Sequence, residues 1–495
     1  MINIYPLAPL QAPLPFRIID RRIREFITKN ITVGPNHRYY SRCAVKRTPT
    51  MQADAPVQKL NQPHRTIIAI AFPAILANSS APLVGLVDTW AIGHLADPAN
   101  LAAIGLGSVI FNFIFWAFGF LRMGTTGIIA QANGRNDSET LVAGIWRSIA
   151  LALALGAVLL LLQDLIFLWA IKALAPPETV TQLTREYFHI RIWAAPASLL
   201  VYAVSGVLFG LARTGLVLVQ QLVLNITNAV LNVIFVVLLG WGVAGVAWGT
   251  LIAQWLAALL GLWLLVQILG LNALLAGFTS AKTWLMSGFR KLVAINGYIF
   301  VRTILLMTAL SLVMRVAGAL GEVEMAASHV VMQYMLLISL GLDGFAHATE
   351  ALAGSAWGVG KAKLFHRWVK LTGVWALVAS IAYALGFWLA GTSLTALLTD
   401  ITAVRIAVDA LMPLVIALPI VAVACYQFDG VYIAATAGAA MMVTMAIAFA
   451  VYVLLLNPMS SSWGLEGLWG AVLIFMAMRG IAQAIWYPKL KSKLD

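Results

Sequence analysis

Charged residues are scarce in this chain. Asp, Glu, Lys and Arg together make up 10% of its 495 residues, whereas hydrophobic residues make up 61%, and the mean hydropathy is +0.90. A typical water-soluble domain carries about 25% charged residues. The shortage excludes an ordinary soluble globular protein and indicates a chain that places most of its length in a membrane.

Cysteines are few, and common catalytic motifs are absent. The two cysteines, Cys43 and Cys425, lie far apart in the sequence, which argues against a disulfide framework or a cysteine-bound metal. No His-Glu-x-x-His, Gly-x-Ser-x-Gly or phosphate-binding-loop motif occurs in the sequence. We therefore predict that the protein is not an enzyme and holds neither a metal nor another cofactor. Any transport that it carries out would have to draw on an ion gradient.

Apolar runs of about 20 residues recur along the chain, as in helical membrane proteins with many spans. We predict twelve membrane-spanning helices, at residues 65–93, 99–132, 138–165, 183–212, 215–239, 242–271, 284–318, 322–358, 364–390, 402–429, 432–456 and 463–487. With the N-terminus inside, twelve Lys and Arg residues near the span ends fall on the inner side and three on the outer side. The positive-inside rule then predicts a multi-pass protein of the plasma (inner) membrane with both termini in the cytoplasm. The same rule explains the net charge of +13 without a nucleic-acid partner.

The spans divide into two lobes. Residues 63–272 are predicted to form an N-lobe of six helices and residues 284–488 a C-lobe of six. They are joined by a linker at 273–283 that has no apolar run of span length. Residues 489–495 are a short cytoplasmic tail. Residues 1–62 are polar and basic, and we expect them to be disordered. They lack the apolar run of a signal peptide but imitate an Arg-rich transit peptide, and Met51 is an alternative start.

Short sequence similarities between the lobes suggest a duplication. Because six is an even number of spans, duplicated halves would have the same orientation and be related by an axis along the membrane normal. In such proteins the binding site lies between the halves. The similar segments are 241–246 with 463–468, at an offset of 222 in the numbering; 210–215 with 433–438, at an offset of 223; and 125–134 with 349–358, at an offset of 224.

Span 1 carries the most informative polar residue. Asp88 lies in an apolar segment that two prolines, Pro73 and Pro82, interrupt. An ionised carboxylate near the bilayer centre costs roughly 2.5–3.5 kcal/mol, so it must face a cavity or a polar partner. Proline frees backbone groups and permits a helix to bend. The combination suggests a switch driven by protonation. The alternative is a static bundle in which a neighbouring hydroxyl satisfies Asp88.

Span 5 has a polar face that can meet Asp88. Asn225, Asn228 and Asn232 follow one another at i, i+3 and i+7, which stacks three amides on one side of the helix. Thr250 of span 6 can join them. Amides on this face can hydrogen-bond to Asp88 across helices. The alternative is that they only hold the helices together.

Span 8 carries an ionisable face whose residues recur at i, i+4 and i+7. Such a face must line a cavity or contact polar partners, because ionisable side chains exposed to lipid are energetically costly. The network is either a charge-neutralised structural feature or a part of the coupling machinery. Its expected members are Asp343, His347 and Glu350 in span 8, Asp429 in span 10, and the countercharges Arg302 and Arg315 in span 7.

Five short strings of the sequence occur in one order along the spans. They are Pro73 with residues 87–93 in span 1, residues 121–132 at the end of span 2, residues 342–350 in span 8, residues 425–433 in span 10, and residues 478–480 in span 12. With these strings the chain resembles the MATE (multidrug and toxic compound extrusion) family, in its DinF branch, over residues 64–488. Each string is modest alone, but their order in a duplicated twelve-span chain is specific.

The resemblance implies an all-α protein of two six-helix lobes around a central cleft. The implied activity is cation-coupled export of small amphipathic or cationic compounds, and we expect a monomer. Asp88 would be the protonation site of the N-lobe, surrounded by the span-5 amides and Thr250, and span 1 would bend about Pro73. The chain departs from the branch at Asn232, where a second carboxylate is common. Because Na⁺ is a hard ion that favours several oxygen ligands, this departure favours H⁺ over Na⁺ as the coupling ion.

Three other functions stay open. A lipid or lipid-linked-precursor flippase of the same superfamily would need strongly basic residues in the cleft and often has extra spans. A membrane-embedded enzyme would need a nucleophile or metal ligands beside the ionisable face of span 8, and the sequence places no second histidine or cysteine there. A scaffolding protein would leave Asp88 and the polar faces without a role.

Overall fold

Helices account for most of the chain that the structure describes. This structure is a computed structural model that describes residues 62–93 and 98–494, and for residues 81–93 it describes the helical backbone only. The predicted tail up to residue 61 and the side chains of Pro82 and Asp88 therefore lie outside the described residues. No strand occurs within the described ranges, and the predicted all-α class is confirmed.

The first half of the fold holds six spans, and the second half follows the same order. Span 1 is Pro63–Gly93, span 2 is Pro98–Ala117 followed by Phe120–Gly134, span 3 is Ser138–Leu161, span 4 is Glu178–Arg191 followed by Ala195–Gly210, span 5 is Thr214–Asn232 continued by the π-helix Val233–Leu238, and span 6 is Gly242–Leu269. Span 7 is Met286–Leu320, span 8 is Glu322–Gly358, span 9 is Ala362–Leu398, span 10 is Thr402–Ala434, and spans 11 and 12 share the helix Gly438–Lys491. The shorter connecting helices are Gln163–Leu174 and Leu271–Thr279, with 3₁₀ turns at Ile192–Ala194 and Ala281–Trp284.

The number of spans agrees with the prediction. In the part of the chain that was described, ten helices are long and apolar enough to cross a membrane. The last of them has 54 residues and breaks at Gly464, where φ is 55° and ψ is −131°, so it supplies two spans. Span 1 has 31 residues, and about 20 helical residues suffice to cross the hydrocarbon core. The fold therefore has twelve spans.

The structure differs from the predicted bounds of two spans and adds detail to the predicted linker. Span 2 is two helices, separated at residues 118–119, and span 10 continues to Ala434 instead of ending at residue 429. The predicted linker at 273–283 contains most of the helix Leu271–Thr279 and a 3₁₀ turn. Arg147 of span 3 donates to the carbonyl oxygens of Lys282 and Thr283, both at 2.8 Å. These hydrogen bonds fix the segment to the first half of the fold, which an apolar-run analysis could not detect.

The backbone repeats its turns at a nearly constant offset in the numbering. The residues with positive φ include Asn136 and Gly360, at an offset of 224; Ala212 and Thr436, also at 224; and Gly242 and Gly464, at 222. The offset of 223 predicted for segments 210–215 and 433–438 is therefore wrong by one, because left-handed positions must align with each other. The offset of 222 predicted for segments 241–246 and 463–468 agrees with the positions of Gly242 and Gly464.

Hydrogen bonds repeat at the same offset. The hydroxyl of Thr125 donates to Ser148 Oγ at 3.0 Å, and the hydroxyl of Thr349 donates to Thr372 Oγ1 at 2.8 Å. The two donors, like the two acceptors, are related by the offset of 224. Spans 2 and 3 therefore pack as spans 8 and 9 do, as a duplicated fold requires.

Each half has its own hydrophobic core, and a third core joins them. Phe188 belongs to the first core and Phe475 to the second. In the third core, Ile67 and Ala71 at the start of span 1 pack with C-lobe residues such as Trp368. Span 1 thus begins against the C-lobe, although the sequence assigns it to the N-lobe.

Spans 2 and 8 approach each other closely near their C-terminal ends. A methyl group added to Gly134 would overlap the carbonyl oxygen of Ser355, and one added to Gly358 would overlap that of Gln131. Residues 134 and 358, like residues 131 and 355, are related by the offset of 224. Each partner thus makes the same contact, as expected about a twofold axis.

We call this contact between spans 2 and 8 the glycine crossing. It lies on the membrane side where span 1 begins, which we call the proximal side, and the opposite side is the distal side.

Substitution at the glycine crossing is expected to weaken lobe closure. Gly358→Ala should destabilise the fold by about 1–3 kcal/mol through overpacking, since the new methyl meets backbone rather than a flexible side chain. Gly386→Ala in span 9 is the matched control, because nothing lies within 4 Å of its added methyl. Thermal unfolding in detergent measures both. Equal melting temperatures would contradict the close crossing.

Asp137 caps span 3 on the proximal side and should give a pH-dependent contribution. Its Oδ1 accepts a hydrogen bond from the backbone N–H of Thr140 at 3.0 Å. Hydrogen bonding to Thr140, with Arg135 nearby, lowers the pKa of Asp137 below its usual range. The cap therefore stabilises the fold at neutral pH, and this contribution is lost as the pH falls below about 4 through the lowered pKa.

The corresponding prediction compares two substitutions at this cap. Asp137→Ala should cost roughly 0.5–2 kcal/mol at neutral pH. Asp137→Asn should keep most of the cap and lose its acid dependence. Unfolding curves between pH 3 and pH 7 test this, and an unchanged acid dependence in the Asn variant would show that other carboxylates cause it.

Candidate functional site

Span 5 places its predicted amides against spans 1 and 6. Asn228 Nδ2 donates to Thr250 Oγ1 at 3.0 Å, and Asn232 Nδ2 donates to Asn228 Oδ1 at 3.3 Å. These three side chains are at most 5% exposed. Asn225 Nδ2 donates to the carbonyl oxygen of Ser80 in span 1 at 2.8 Å. The structure thus brings together all four residues of this predicted face, which we call the amide set.

The direction of span 5 relative to span 1 bears on Asp88. Successive spans cross the membrane in opposite directions, so spans 1 and 5 run in the same direction. Asn225 contacts Ser80, and Asn232 lies seven residues further along, a rise of about 10 Å. Two helices that stay parallel from this contact would bring Asn232 level with residues 87–88.

Pro73 lies in the half of span 1 that packs on the C-lobe. The helix Pro63–Gly93 continues through this proline. Two residues earlier, the carbonyl oxygen of Ala71 would be 3.0 Å from a methyl group on Gly344 of span 8. The bending of span 1 about Pro73 stays a prediction.

Asp429 is the centre of a buried cluster in the C-lobe. It pairs with Arg302 of span 7 and accepts hydrogen bonds from Arg479 Nη2 at 3.0 Å and Gln483 Nε2 at 2.8 Å. All four side chains belong to residues that are less than 10% exposed. The prediction that Arg315 is the second countercharge is wrong, because Arg315 is exposed and forms no ion pair with any described residue. Arg479 of span 12, which sequence periodicity did not single out, occupies that role.

Arg122 of span 2 contacts the ionisable face of span 8 across the lobe interface. Its Nη1 lies 3.2 Å from His347 Nδ1 and 3.9 Å from Glu350 Oε2. His347 Nδ1 also lies 3.2 Å from Glu350 Oε1. The ring of Phe209 from span 4 lies 4.3 Å from the ring of His347 and 5.4 Å from the Arg122 guanidinium. We call these four residues, two from each lobe, the inter-lobe clamp.

Asp343 lies one helical turn from His347, toward the distal side. It is partly exposed, and no described residue hydrogen-bonds to it. The charged and titratable groups that interact with it include His347, Arg122, Asp429 and Glu350, and also Cys425 and Tyr426. The predicted network of span 8 is therefore divided: Glu350 and His347 belong to the clamp, Asp429 to the arginine cluster, and Asp343 lies between them.

The buried polar residues of one lobe are not repeated at the equivalent positions of the other. At the offset of the duplication, Asn228, Asn232 and Thr250 of the N-lobe correspond to Tyr452, Leu456 and Val472 of the C-lobe, all buried in its hydrophobic core. The position of Asp429 corresponds to Ser205, whose hydroxyl donates to Gln220 Oε1 at 3.2 Å. Each lobe thus carries a different polar region on the same fold.

Two further features lie apart from these regions. A cavity of about 690 Å³ between spans 4 and 6 is lined only by apolar side chains, among them Trp193, Trp248 and Trp255. Among the residues whose placement is described, no group of three His, Cys, Asp or Glu side chains could hold a metal ion.

Comparison with known proteins identifies the family. The MatE family model matches residues 73–234. The chain is 35% identical over 423 residues to the DNA damage-inducible protein F of Escherichia coli, covering 84% of this chain and 90% of that protein. The chain belongs to the MATE family, in its DinF branch. It is also 28% identical to the chloroplastic Protein DETOXIFICATION 44 of Arabidopsis thaliana, covering 84% of this chain and 81% of that one.

The fold of this MATE protein agrees with solved structures. One is an outward-facing conformation of a multidrug resistance MATE family transporter of the MOP superfamily. It superposes with a TM-score of 0.77 at 19% identity and covers 87% of this chain and 96% of that one. The relatives are transporters and not enzymes, and the chain is a multi-pass membrane protein of a transporter family.

Removal of the central carboxylate of the arginine cluster is expected to be costly. Asp429→Asn leaves Arg302 and Arg479 buried without a countercharge and should destabilise the C-lobe by about 3–5 kcal/mol. Asp409→Asn removes an exposed carboxylate from the same helix and should change stability by less than about 0.5 kcal/mol. Denaturant unfolding in mixed micelles compares them. If both variants were as stable as the wild type, the cluster would not depend on this ion pair.

Proposed function

We propose that this MATE protein is a secondary active antiporter. It exports small amphipathic or cationic compounds in exchange for protons, by alternating access of its two lobes, with Asp88 as the proton site. The proximal side faces the cytoplasm, both termini lie there, and the protein resides in the plasma membrane. The multidrug resistance transporter among the similar structures supports this class of cargo.

The amide set is the observation that carries the proposal. Asp88 is the only carboxylate in the sequences of spans 1, 2, 5 and 6. Asn225 of the amide set contacts the same span at Ser80, and parallel packing of spans 1 and 5 would bring the buried Asn232 level with residue 88. A row of buried amides and a hydroxyl can hold a carboxylate by hydrogen bonds in its charged form and accept its hydrogen bond in its neutral form. The equivalent C-lobe positions are apolar, which supports a single coupling site in the N-lobe.

The chemistry of the amide set supports protons as the coupling ion. At Asn232 a neutral amide stands where a second carboxylate would help to hold Na⁺. One carboxylate with amide and hydroxyl neighbours is sufficient for a proton, which needs a single basic oxygen. Hard metal cations are bound by several oxygens, commonly with more than one carboxylate.

The proposed mechanism uses the charge of Asp88 to exchange cargo for a proton. In its ionised form Asp88 attracts a cationic compound into the cleft from the cytoplasmic side. A proton that arrives from the distal side neutralises the carboxylate, removes this attraction and permits span 1 to bend at Pro73, so the cargo leaves outward. The cycle requires that cargo and proton differ in their affinity for the two lobe arrangements. An inward proton gains about 2.3 kcal/mol per 100 mV of membrane potential.

The test is ethidium efflux from proteoliposomes under an imposed proton gradient. Wild-type protein is expected to move the dye against its gradient, and collapse of the gradient by an ionophore should stop the movement. Asp88→Asn should abolish gradient-driven movement, because the amide cannot bind and release a proton. Asp164→Asn is the matched control, since Asp164 is an exposed carboxylate of the same lobe (87% exposed side chain) and should leave efflux unchanged.

Other outcomes would change the proposal in defined ways. Efflux that requires Na⁺ and ignores pH would overturn the coupling ion. Efflux that Asp88→Asn retains would overturn the assigned site. No efflux of any cationic dye by folded protein would favour the flippase function.

A further inference from the structure

The ring of His347 in the inter-lobe clamp faces one hydrogen-bond donor and one acceptor. His347 Nδ1 lies 3.2 Å from Arg122 Nη1 and 3.2 Å from Glu350 Oε1. A guanidinium only donates hydrogen bonds, and a carboxylate only accepts them. With Nδ1 unprotonated, His347 accepts from Arg122. With Nδ1 protonated and Nε2 unprotonated, it donates to Glu350 and can still accept from Arg122 at Nε2, which lies 3.4 Å from Arg122 Nη1. Only the doubly protonated ring offers Arg122 no acceptor.

The two arrangements differ in which parts of the protein they join. Arg122 belongs to span 2 of the N-lobe, so its bond to a neutral His347 holds the lobes together. Glu350 is three residues from His347 in the same helix, so a bond between them holds nothing across the interface. In the doubly protonated ring, the positive charge also repels Arg122 at close range. Proton uptake by the neutral ring therefore removes the hydrogen bond between the lobes and keeps the bond within one helix. The Arg122–Glu350 ion pair, at 3.9 Å, is then the remaining polar contact between the lobes in the clamp.

The surroundings allow this extra positive charge. From other elements, His347 faces Arg122 in span 2 and Phe209 in span 4. Asp429 of span 10, already paired with two arginines, interacts with Asp343. From its own helix it faces Glu350 and Asp343. When all are ionised, three arginines and three carboxylates balance one another. Asp343, without a hydrogen-bond partner among the described residues and partly exposed, is placed to offset the charge of a protonated ring.

The clamp also lies where lobe separation must occur. Arg122 is twelve residues before Gly134, and His347 is eleven residues before Gly358, so the clamp lies about three helical turns beyond the glycine crossing. Between them span 2 also contacts the C-lobe, as in the hydrogen bond from Gln131 Nε2 to the carbonyl oxygen of Ala434 at 2.8 Å. Access to the cleft from the proximal side requires all of these contacts to open.

We propose that His347 is a second proton-binding site of this transporter, and that one proton taken up there releases the inter-lobe clamp and lets the lobes part on the proximal side. The inference rests on the alternating access of the proposed function. It adds a residue that controls the access change, whereas Asp88 controls the exchange of cargo for a proton. Histidine suits this role because its neutral ring both donates and accepts hydrogen bonds, whereas its doubly protonated ring only donates them.

The experiment measures lobe separation directly. Spin labels are placed at Arg135→Cys and Lys361→Cys, two exposed positions just beyond the crossing glycines, with Cys43 and Cys425 replaced by serine. The distance between labels is measured in lipid nanodiscs without cargo from pH 8 to pH 5.5. The wild type should change from a short to a longer distance as the pH falls, and the ratio of open to closed protein should rise up to tenfold per pH unit, as for one proton.

Four variants define the origin of the response. His347→Gln should stay closed at every pH, because its amide oxygen can accept from Arg122 and cannot become charged. Arg122→Gln should lose the pH dependence as well, which keeps the test valid if one variant fails to fold. His329→Gln, a substitution of the same kind at an exposed position of the same helix, should respond as the wild type does. Asp88→Asn should also keep the response.

The inference is overturned if the distance does not change with pH in the wild type, or if His347→Gln responds as the wild type does. It is also overturned if Asp88→Asn abolishes the response that His347→Gln retains. The measurement needs no cargo and no gradient. A failure of dye efflux would therefore contradict the proposed antiport without altering the outcome of this test.

Discussion

The close backbone contact between spans 2 and 8 is the constraint on which the arrangement of the lobes depends. Small residues at a helix crossing let backbones approach in a membrane, where lipid offers no hydrophobic drive for association. Gly134 and Gly358 each lie against a carbonyl of the other span. This contact fixes the height of one helix relative to the other, and so brings Arg122 within reach of His347, each about three helical turns before its crossing glycine. The clamp and the position of Asp343 follow from the crossing.

The duplication gives the two lobes the same backbone fold, but their buried polar residues differ. The N-lobe has a row of amides and a hydroxyl where the C-lobe has an apolar core. The C-lobe has a carboxylate between two arginines where the N-lobe has Ser205 and Gln220. The membrane explains why each set is internally bonded, since an unpaired polar group costs several kcal/mol there. The lobes thus keep one packing scheme, while the described residues place the row of buried amides in the N-lobe and the buried ion pairs of Asp429 in the C-lobe.

The role of each basic residue inside the protein depends on the groups that it contacts. Arg302 and Arg479 are buried, and both pair with Asp429, which offsets one of their two positive charges. Arg122 is the basic residue that bridges the lobes. Its described partners are His347 and Glu350 on the opposite lobe and the ring of Phe209, which makes it sensitive to lobe separation.

The sequence by itself determined the twelve spans, the duplication and the faces of spans 5 and 8, because hydrophobic length and helical periodicity are local properties of the chain. It could not determine the offset between segments 210–215 and 433–438. That offset depends on left-handed backbone at Ala212 and Thr436, and neither residue is the glycine that would have indicated it. It also could not choose between Arg315 and Arg479 as the partner of Asp429, or pair Arg122 with His347 on a span far along the chain. Those choices were decided by tertiary structure alone. Long side chains from distant spans meet only where backbone contacts set the rotation and height of each helix.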